Sequence, residues 1–177
     1  MTTLAASRSS VAQRAEATAG PAQEYLTLCL GDEEYGIDIL RVQEIRGYEP
    51  PTRIAGVPDF IRGVLNLRGV IVPIVDLRLR LGVESRFDAL TVTVVLNVAG
   101  RTVGAIVDSV SDVIELSRTQ IRPAPEFNGA IDAGHITGLG TVRQGERERM
   151  LILLDIEKLM ASANLGLVEQ ASPGDNP

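Results

Sequence analysis

The chain has 177 residues, and its 45% hydrophobic and 23% charged content is typical of a globular protein with one ordinary domain or two small lobes. Aromatic residues make up only 3% and Trp is absent, so Val, Ile and Leu must supply the core, which favours β-strands. The net charge of −6 argues against nucleic acid or an anionic membrane surface as a partner.

Residues 1–23 predict a disordered leader, because Arg8 and Arg14 lie among Ala, Ser and Thr without the apolar stretch of a signal peptide. No apolar run in the chain reaches the roughly 20 residues that span a bilayer. We therefore expect a cytoplasmic protein with one folded domain at residues 24–163 and a frayed tail at 164–177.

The first half of the domain, approximately residues 24–82, predicts four strands. Alternating aliphatic residues indicate a hairpin around the turn at residues 31–33, and a loop rich in Pro covers residues 48–58. Strands follow at 61–67 and 70–75, and Pro73 indicates an edge or a bulge. Asp76 is placed to cap a short helix at 77–81, which Gly82 would end.

The second half, approximately residues 88–155, predicts a similar series. Strands are expected at 90–98 and 102–107, before a loop marked by Pro123 and Pro125. Further strands are expected at 136–143 and 150–154. Asp155 then heads a closing helix at 156–163.

The two halves resemble each other. The segment GIDILRVQEI at residues 36–45 matches GAIVDSVSDV at residues 104–113 without a gap, and both halves later run through an aliphatic strand into Asp and a short helix. This repeat predicts a mainly β fold, with two small five-stranded β-barrel subdomains of similar plan around a shared hydrophobic core, and short helices.

Catalytic chemistry has little support in the sequence. Cys29 and His135 are the only candidates for a Cys–His dyad, but Cys29 lies within a strand among leucines and His135 lies in a loop. One Cys and one His also cannot supply a Cys/His zinc cluster. We predict no catalytic, cofactor or metal site, and keep an enzyme of small acidic metabolites with clustered carboxylates as the competing class.

One charged pair is unusual. Arg68 lies between an apolar strand and a Gly turn, where its side chain either reaches solvent or finds a carboxylate. The first alternative is an exposed turn residue. The second is an Arg held by Glu44 at a binding cleft, because a planar guanidinium suits fixed pairing with a carboxylate.

Four blocks of the chain resemble the CheW-like domain family of bacterial chemotaxis. They are GDEEYGIDILRVQEIRGY (31–48), NLRGVIVPIVDLR (66–78), IRPAPEF (121–127) and MLILLDIEKL (150–159). The resemblance extends in order from about residue 24 to residue 159. It implies two five-stranded barrels around one core, in agreement with the repeat.

The resemblance also implies a function. Members of the family have no catalytic activity and join the cytoplasmic tip of chemoreceptors (methyl-accepting chemotaxis proteins) to the regulatory domain of the histidine kinase CheA. Further copies of the adaptor are possible partners in rings, and the whole associates with membrane-bound receptor arrays through protein contacts. The alternative is the equivalent adaptor of another chemosensory-like pathway, one that controls pili or development.

The resemblance finally implies two sets of binding residues. The receptor-facing cleft would contain Val42, Glu44, Ile45, Arg68, Val110 and Val113. The contacts with the kinase and within rings would come from Arg122, Glu126 and Phe127. For the aliphatic residues, ordinary core packing is the alternative.

Overall fold

The computed structural model describes residues 22–124 and 134–162. Its strands are β1 (Gln23–Leu30), β2 (Glu33–Asp38), β3 (Val42–Gly47), β4 (Ile61–Leu67), β5 (Val70–Asp76), β6 (Val92–Val98), β7 (Arg101–Val107), β8 (Ser109–Leu116), β9 (Ile121–Arg122), β10 (Ile136–Gln144) and β11 (Arg147–Leu154). The helices are α1 (Leu77–Arg80) and α2 (Ile156–Ser162), with 3₁₀ turns at Ile39–Arg41 and Arg118–Gln120.

The strands form two sheets. Sheet A has six strands in the order β8-β1-β2-β11-β10-β9, and sheet B has five in the order β3-β6-β7-β5-β4. Neighbouring strands are antiparallel except for two parallel pairs, β2 with β11 and β5 with β7. The mainly β prediction is confirmed, and the two sheets agree with the predicted barrels apart from the two-residue strand β9 of sheet A.

The sheets do not coincide with the predicted lobes at about 24–82 and 88–155. Sheet A combines β1 and β2 of the first half with β8 to β11 of the second, and sheet B combines β3 to β5 of the first half with β6 and β7. The chain leaves sheet A after β2, builds sheet B, and returns at β8. The sequential division was therefore wrong, because each half places its first two strands in one sheet and its later strands in the other.

The predicted repeat is nevertheless confirmed by the register of the strands. Gly36 of β2 lies opposite Leu153 of β11, and Gly104 of β7 lies opposite Ile74 of β5, each in a parallel pair. A Cβ atom at Gly36 would lie 2.8 Å from the Leu153 side chain, and one at Gly104 would lie 2.5 Å from that of Ile74. The matching glycines thus make room for a neighbouring aliphatic side chain at the same place in both sheets.

The two sheets share one hydrophobic core. A single cluster of buried side chains takes Leu26, Leu28 and Ile37 from sheet A and Leu96 and Val107 from sheet B. The closing helix α2 adds Ile156, Leu159 and Met160 to the same cluster. The predicted shared core is therefore present, and burial of aliphatic side chains from both sheets holds the sheets together.

Both predicted helix caps are present. The Asp76 side chain accepts a hydrogen bond of 3.0 Å from the backbone N–H of Arg78, and the Asp155 side chain accepts one of 3.1 Å from that of Lys158. Each carboxylate satisfies a backbone donor that the first turn of a helix leaves open. The aliphatic strand ending in Asp thus predicted both helices.

Pro73 differs from its prediction. The strand β5 that contains it lies between β7 and β4 rather than at an edge. Pairing of β5 with β7 begins only at Ile74, so Pro73 lies just outside the parallel ladder. On its other side Pro73 lies opposite Val64 of β4, whose N–H and C=O bond Thr52 instead, so the missing N–H of proline costs no hydrogen bond to β4.

Candidate protein-binding site

Glu44 and Arg68 are in contact. Glu44 lies on β3, an edge strand of sheet B, and Arg68 lies in the turn between β4 and β5, where the Arg68 guanidinium donates to the Glu44 carboxylate. Arg46, two residues along β3, donates to the same carboxylate at 3.0 Å. Hydrogen bonds from Arg46 and then Arg68 hold the pKa of Glu44 below its ordinary value.

Local backbone geometry presents Arg68 to Glu44. Arg68 and Gly69 have φ angles of 54° and 86°, the two left-handed residues of a tight hairpin turn whose twist matches the flanking strands. The Asn66 side chain accepts a 2.9 Å hydrogen bond from the Gly69 N–H, which fixes the turn. The sequence Asn-Leu-Arg-Gly thus places an Arg at the tip of the hairpin.

A small cleft of about 190 Å³ adjoins this pair. Its lining residues come from all five strands of sheet B and the hairpin turn: Gln43, Glu44, Leu67, Arg68, Val70, Val72, Val95 and Thr102. The Arg68 side chain is 74% exposed and that of Glu44 29% exposed. The pair is therefore largely solvated, and by itself it adds little to stability.

The four aliphatic residues of the predicted receptor cleft divide between the sheets. Val42 and Val110 are partly buried against the shared core, from β3 and β8 respectively. Ile45 of β3 is 46% exposed and Val113 of β8 is 50% exposed. The structure thus brings Glu44 and Arg68 together in sheet B, and places Val110 and Val113 on the edge strand of sheet A.

The edge strand β8 carries an ionic cluster that the sequence did not reveal. Arg149 of β11 bonds Glu34 of β2 at 2.7 Å and Asp112 of β8 at 3.4 Å. Asp112 matches Glu44 in the repeat, and the edge strands β3 and β8 thus each hold a carboxylate against an Arg. The sequence signal was the acid at the ninth place of both repeats, but nothing in it identified Arg149 as the partner.

Asp76 and Arg78 form a second cluster that the sequence did not reveal, where β5 passes into helix α1. Both side chains are fully buried, and they are joined by hydrogen bonds of 2.9 and 3.0 Å. The Arg78 guanidinium also bonds Asp108 at 2.9 Å and lies 4.6 Å from the centre of the Phe87 ring. Burial favours a raised pKa for Asp76, but hydrogen bonds from Arg78 and Ser85 outweigh it, and the pKa lies below its ordinary value.

Of the predicted kinase-binding residues, only Arg122 can be placed. Arg122 ends the two-residue strand β9, pairs with Leu139 of β10 and is exposed. Glu126 and Phe127 lie outside the described residues.

Cys29 and His135 lie in different segments of the chain. Cys29 is partly buried on β1, where its Sγ lies 3.7 Å from the hydroxyl of Ser111. His135 precedes β10, and its backbone carbonyl accepts a 2.7 Å hydrogen bond from the Asp155 N–H. Among residues 22–124 and 134–162, no group of three or more His, Cys, Asp or Glu side chains could hold a metal ion. No helix in that same part of the chain is long and apolar enough to cross a membrane.

Comparison with known proteins gives consistent matches over almost the whole folded region. The model of the CheW-like domain matches residues 24–164. The chain is 56% identical over 151 residues to the chemotaxis protein CheW of Klebsiella aerogenes, covering 85% of this chain and 89% of that protein. It is 34% identical over 140 residues to a probable chemotaxis protein CheW of Rhizobium etli, covering 78% of this chain and 88% of that protein.

A solved structure agrees with these matches. The crystal structure of the scaffolding protein TtCheW from Thermoanaerobacter tengcongensis superimposes with a TM-score of 0.70 at 30% sequence identity. The match covers 78% of this chain and 92% of that structure.

Proposed function

Since the chain belongs to the CheW-like domain family, we propose that it is a non-enzymatic adaptor that couples chemoreceptors to the histidine kinase CheA in bacterial chemotaxis. The observation that carries this proposal is the 56% identity to the CheW protein of Klebsiella aerogenes over 89% of that protein's length. In this role the protein works in the cytoplasm, beside membrane-bound receptor arrays.

The receptor-binding site proposed here comprises Val42, Glu44, Ile45, Arg68, Val110 and Val113. Two structural features of the described residues support it, and the charge of the site is a third. The site follows the two edge strands β3 and β8, which have a neighbour on one side only. It offers exposed aliphatic side chains at Ile45 and Val113, to which the apolar face of a receptor helix can pack.

The charge of the site supports the same kind of partner. Arg68 is mostly exposed although it contacts Glu44, so its guanidinium keeps donors available for a second carboxylate. An acidic side chain on the docking helix can bond Arg68 without leaving Glu44 unpaired, because Arg46 still holds Glu44. Exposed charges of this kind govern which partner binds and how fast it associates.

The second proposed surface binds the regulatory domain of CheA and further adaptor copies, through Arg122, Glu126 and Phe127. Arg122 is exposed on an edge strand of sheet A, a suitable place for a contact between proteins. Arg and aromatic side chains dominate the binding energy of many interfaces. The two proposed surfaces use different edges of the molecule, so one adaptor can hold both partners.

A double-mutant cycle tests the receptor site. We expect Arg68→Ala and Glu44→Ala each to reduce receptor-dependent activity of CheA by roughly tenfold, with little change in affinity for CheA alone. Their effects should not add fully, because either change removes the contact between them. The measurements are phosphorylation of CheA with and without receptor fragments, and the dissociation constants of both partners.

Arg86→Ala is the matched control. Arg86 also pairs with a neighbouring acid, Glu84, and both side chains are more than 70% exposed, at 79% and 73%. This variant should behave like wild type. Strictly additive losses from Glu44 and Arg68 would mean that the residues act separately, and full activity of both single variants would place the receptor site elsewhere.

A further inference from the structure

The carboxylates at the matching ninth places of the repeat, Glu44 and Asp112, are held in very different ways. In sheet B the Arg68 side chain that contacts Glu44 is 74% exposed. In sheet A the Arg149 side chain that contacts Asp112 is only 19% exposed. We infer that Arg149 is a positioning residue, which fixes the edge strand β8 and with it the Val110 and Val113 half of the receptor site.

Arg149 ties three strands of sheet A together. From β11, its Nε and Nη2 donate to one oxygen of Glu34 on β2, at 3.0 and 2.7 Å. Its Nη1 and Nη2 also donate to the two oxygens of Asp112 on β8, both at 3.4 Å. In the order of the sheet, β11 and β8 are separated by β1 and β2, so this side chain joins two strands that no backbone ladder pairs.

The strand β8 needs such support because its pairing with β1 is irregular. Val110 lies opposite Leu28 and Val113 opposite Leu26, so two residues of β8 face the single residue Thr27. At this bulge the Asp112 N–H donates to the Thr27 hydroxyl at 3.0 Å, and the same hydroxyl contacts the Asp112 carboxylate. Side-chain bonds therefore replace part of the regular ladder at this point.

The bulge lies between the two valines of the proposed site. Val110 is anchored in the shared core on one side of it, and Val113 is half exposed on the other. The position of Val113 relative to Val110 thus depends on how the two bulged residues, Ser111 and Asp112, are held. Arg149 neutralises the Asp112 carboxylate and fixes it over sheet A, and so sets where Val113 meets a partner.

The two halves of the site then have complementary roles. The exposed Arg68 can bond a carboxylate of the partner, in place of Glu44 or together with it. Arg149 instead uses its N–H donors on Glu34 and Asp112 within the protein. A surface held in its bound shape loses less conformational entropy when the partner docks. This inference rests on the proposed function, because it assigns a role within the proposed receptor site.

The test compares Arg149→Met with Arg143→Met. Arg143 lies on the neighbouring strand β10 and is exposed. Arg143→Met therefore removes one positive charge but leaves the contacts of Arg149 with Glu34 and Asp112 in place. For Arg149→Met we expect a roughly tenfold weaker affinity for a receptor fragment, an affinity for the regulatory domain of CheA within about twofold of wild type, and faster amide hydrogen exchange in β8. Arg143→Met should leave all three measurements unchanged.

Arg149→Lys separates positioning from simple charge. A Lys ammonium keeps the positive charge but lacks the planar fork that reaches both carboxylates, so its receptor affinity should lie between those of wild type and Arg149→Met. If Arg149→Met does not fold, Asp112→Asn provides the same test. It removes only the negative charge of the carboxylate that Arg149 contacts, and should show the same selective loss of receptor affinity.

Three outcomes would overturn the inference. The first is faster exchange in β8 with unchanged receptor affinity, and the second is an equal loss of receptor and kinase binding. The third is a Lys variant that matches wild type in every measurement, because the positive charge alone would then be sufficient. Failure of the proposed function looks different, because the wild-type protein itself would then not bind the receptor fragment.

Discussion

Gly63 occupies a position that admits no other residue. It lies at the bulge of β4, with a φ angle of 139°, and a Cβ atom there would lie 1.9 Å from the carbonyl oxygen of Thr52. Thr52 and Val64 exchange two backbone hydrogen bonds of 2.9 Å beside it. A side chain at Gly63 must therefore separate these two segments as well as adopt a strained backbone.

We accordingly expect Gly63→Ala to lower the free energy of unfolding by about 3 kcal/mol. Gly47→Ala is the matched control, since a Cβ atom at Gly47 meets nothing within 4 Å. Chemical denaturation of the two variants measures the difference. Equal stability of both would show that the loop around Thr52 moves aside freely.

The buried pair of Asp76 and Arg78 gives a second prediction at this scale. Removing one member of a fully buried ion pair leaves an uncompensated charge, so Arg78→Met should cost about 3–5 kcal/mol of stability. Arg86→Met removes an Arg from an exposed pair and should cost no more than about 1 kcal/mol. Similar losses in the two variants would contradict this assignment.

The lowered pKa of Asp76 also predicts that the stability of the protein depends on pH. Its pKa in the folded protein lies below the ordinary value of 3.8, so its carboxylate stabilises the fold above that pH. This stabilisation is lost as the pH falls through the folded pKa, since the carboxylate is then protonated. Asp76→Asn should be less stable than wild type at pH 7 and should lose less stability on acidification, as urea midpoints between neutral and acidic pH will show. A wild-type curve as flat as that of the variant would argue against the lowered pKa.

At the scale of the elements, the edge strands β3 and β8 carry side chains of two kinds: exposed ones suited to binding and partly buried ones that pack against the core. Ile45 and Val113 point half into solvent, whereas Val110 is packed against the core. Ile45→Ser and Val113→Ser should each change stability by less than about 1 kcal/mol. Both should weaken receptor binding if they line the proposed site.

Val110→Ser supplies the contrast. Burying a hydroxyl in place of methyl groups should destabilise this variant by more than about 1 kcal/mol, whatever its effect on binding. Thermal melting and receptor titration on the same preparations distinguish the two cases. Loss of stability without loss of binding in Val113→Ser would place Val113 in the core and outside the interface.

At the scale of the whole molecule, the exchange of strands between the halves makes each half dependent on the other. Residues 1–82 contain β1 and β2 without the other strands of sheet A, and β3 to β5 without β6 and β7. Each half can form hairpins such as β1–β2 and β6–β7, but it cannot complete either sheet or bury its core faces alone. We expect fragments 1–82 and 88–177 to be unfolded separately and to form a one-to-one folded complex when mixed.

Circular dichroism and size-exclusion chromatography of the fragments, alone and together, test this expectation. Two variants of the first fragment provide a control. Gly63→Ala should weaken its assembly with the second fragment, whereas Gly47→Ala should not. A cooperative melt of either fragment alone would show that the halves are independent lobes after all.

The sequence by itself determined the local features of this protein. Apolar patterns identified eight of the strands but not β3, β8 or β9, the two aspartates after apolar strands identified both short helices, and the matching decapeptides identified the repeat. These features depend on neighbours within a few positions along the chain, where side-chain period and capping act. The pairing of Glu44 with Arg68 was one of two open alternatives, and the structure decided in its favour.

Only the tertiary structure decided which strands share a sheet. A repeat is equally compatible with two sequential lobes and with exchanged strands, because each strand presents the same aliphatic pattern to any partner. The choice was made by the parallel pairs of β2 with β11 and β5 with β7, which join distant parts of the chain. The partners of Arg149 and Arg78 were hidden for the same reason, since Glu34 lies 115 positions from Arg149 and Asp108 lies 30 positions from Arg78. Contacts across such distances exist only once the shared core has brought the strands together.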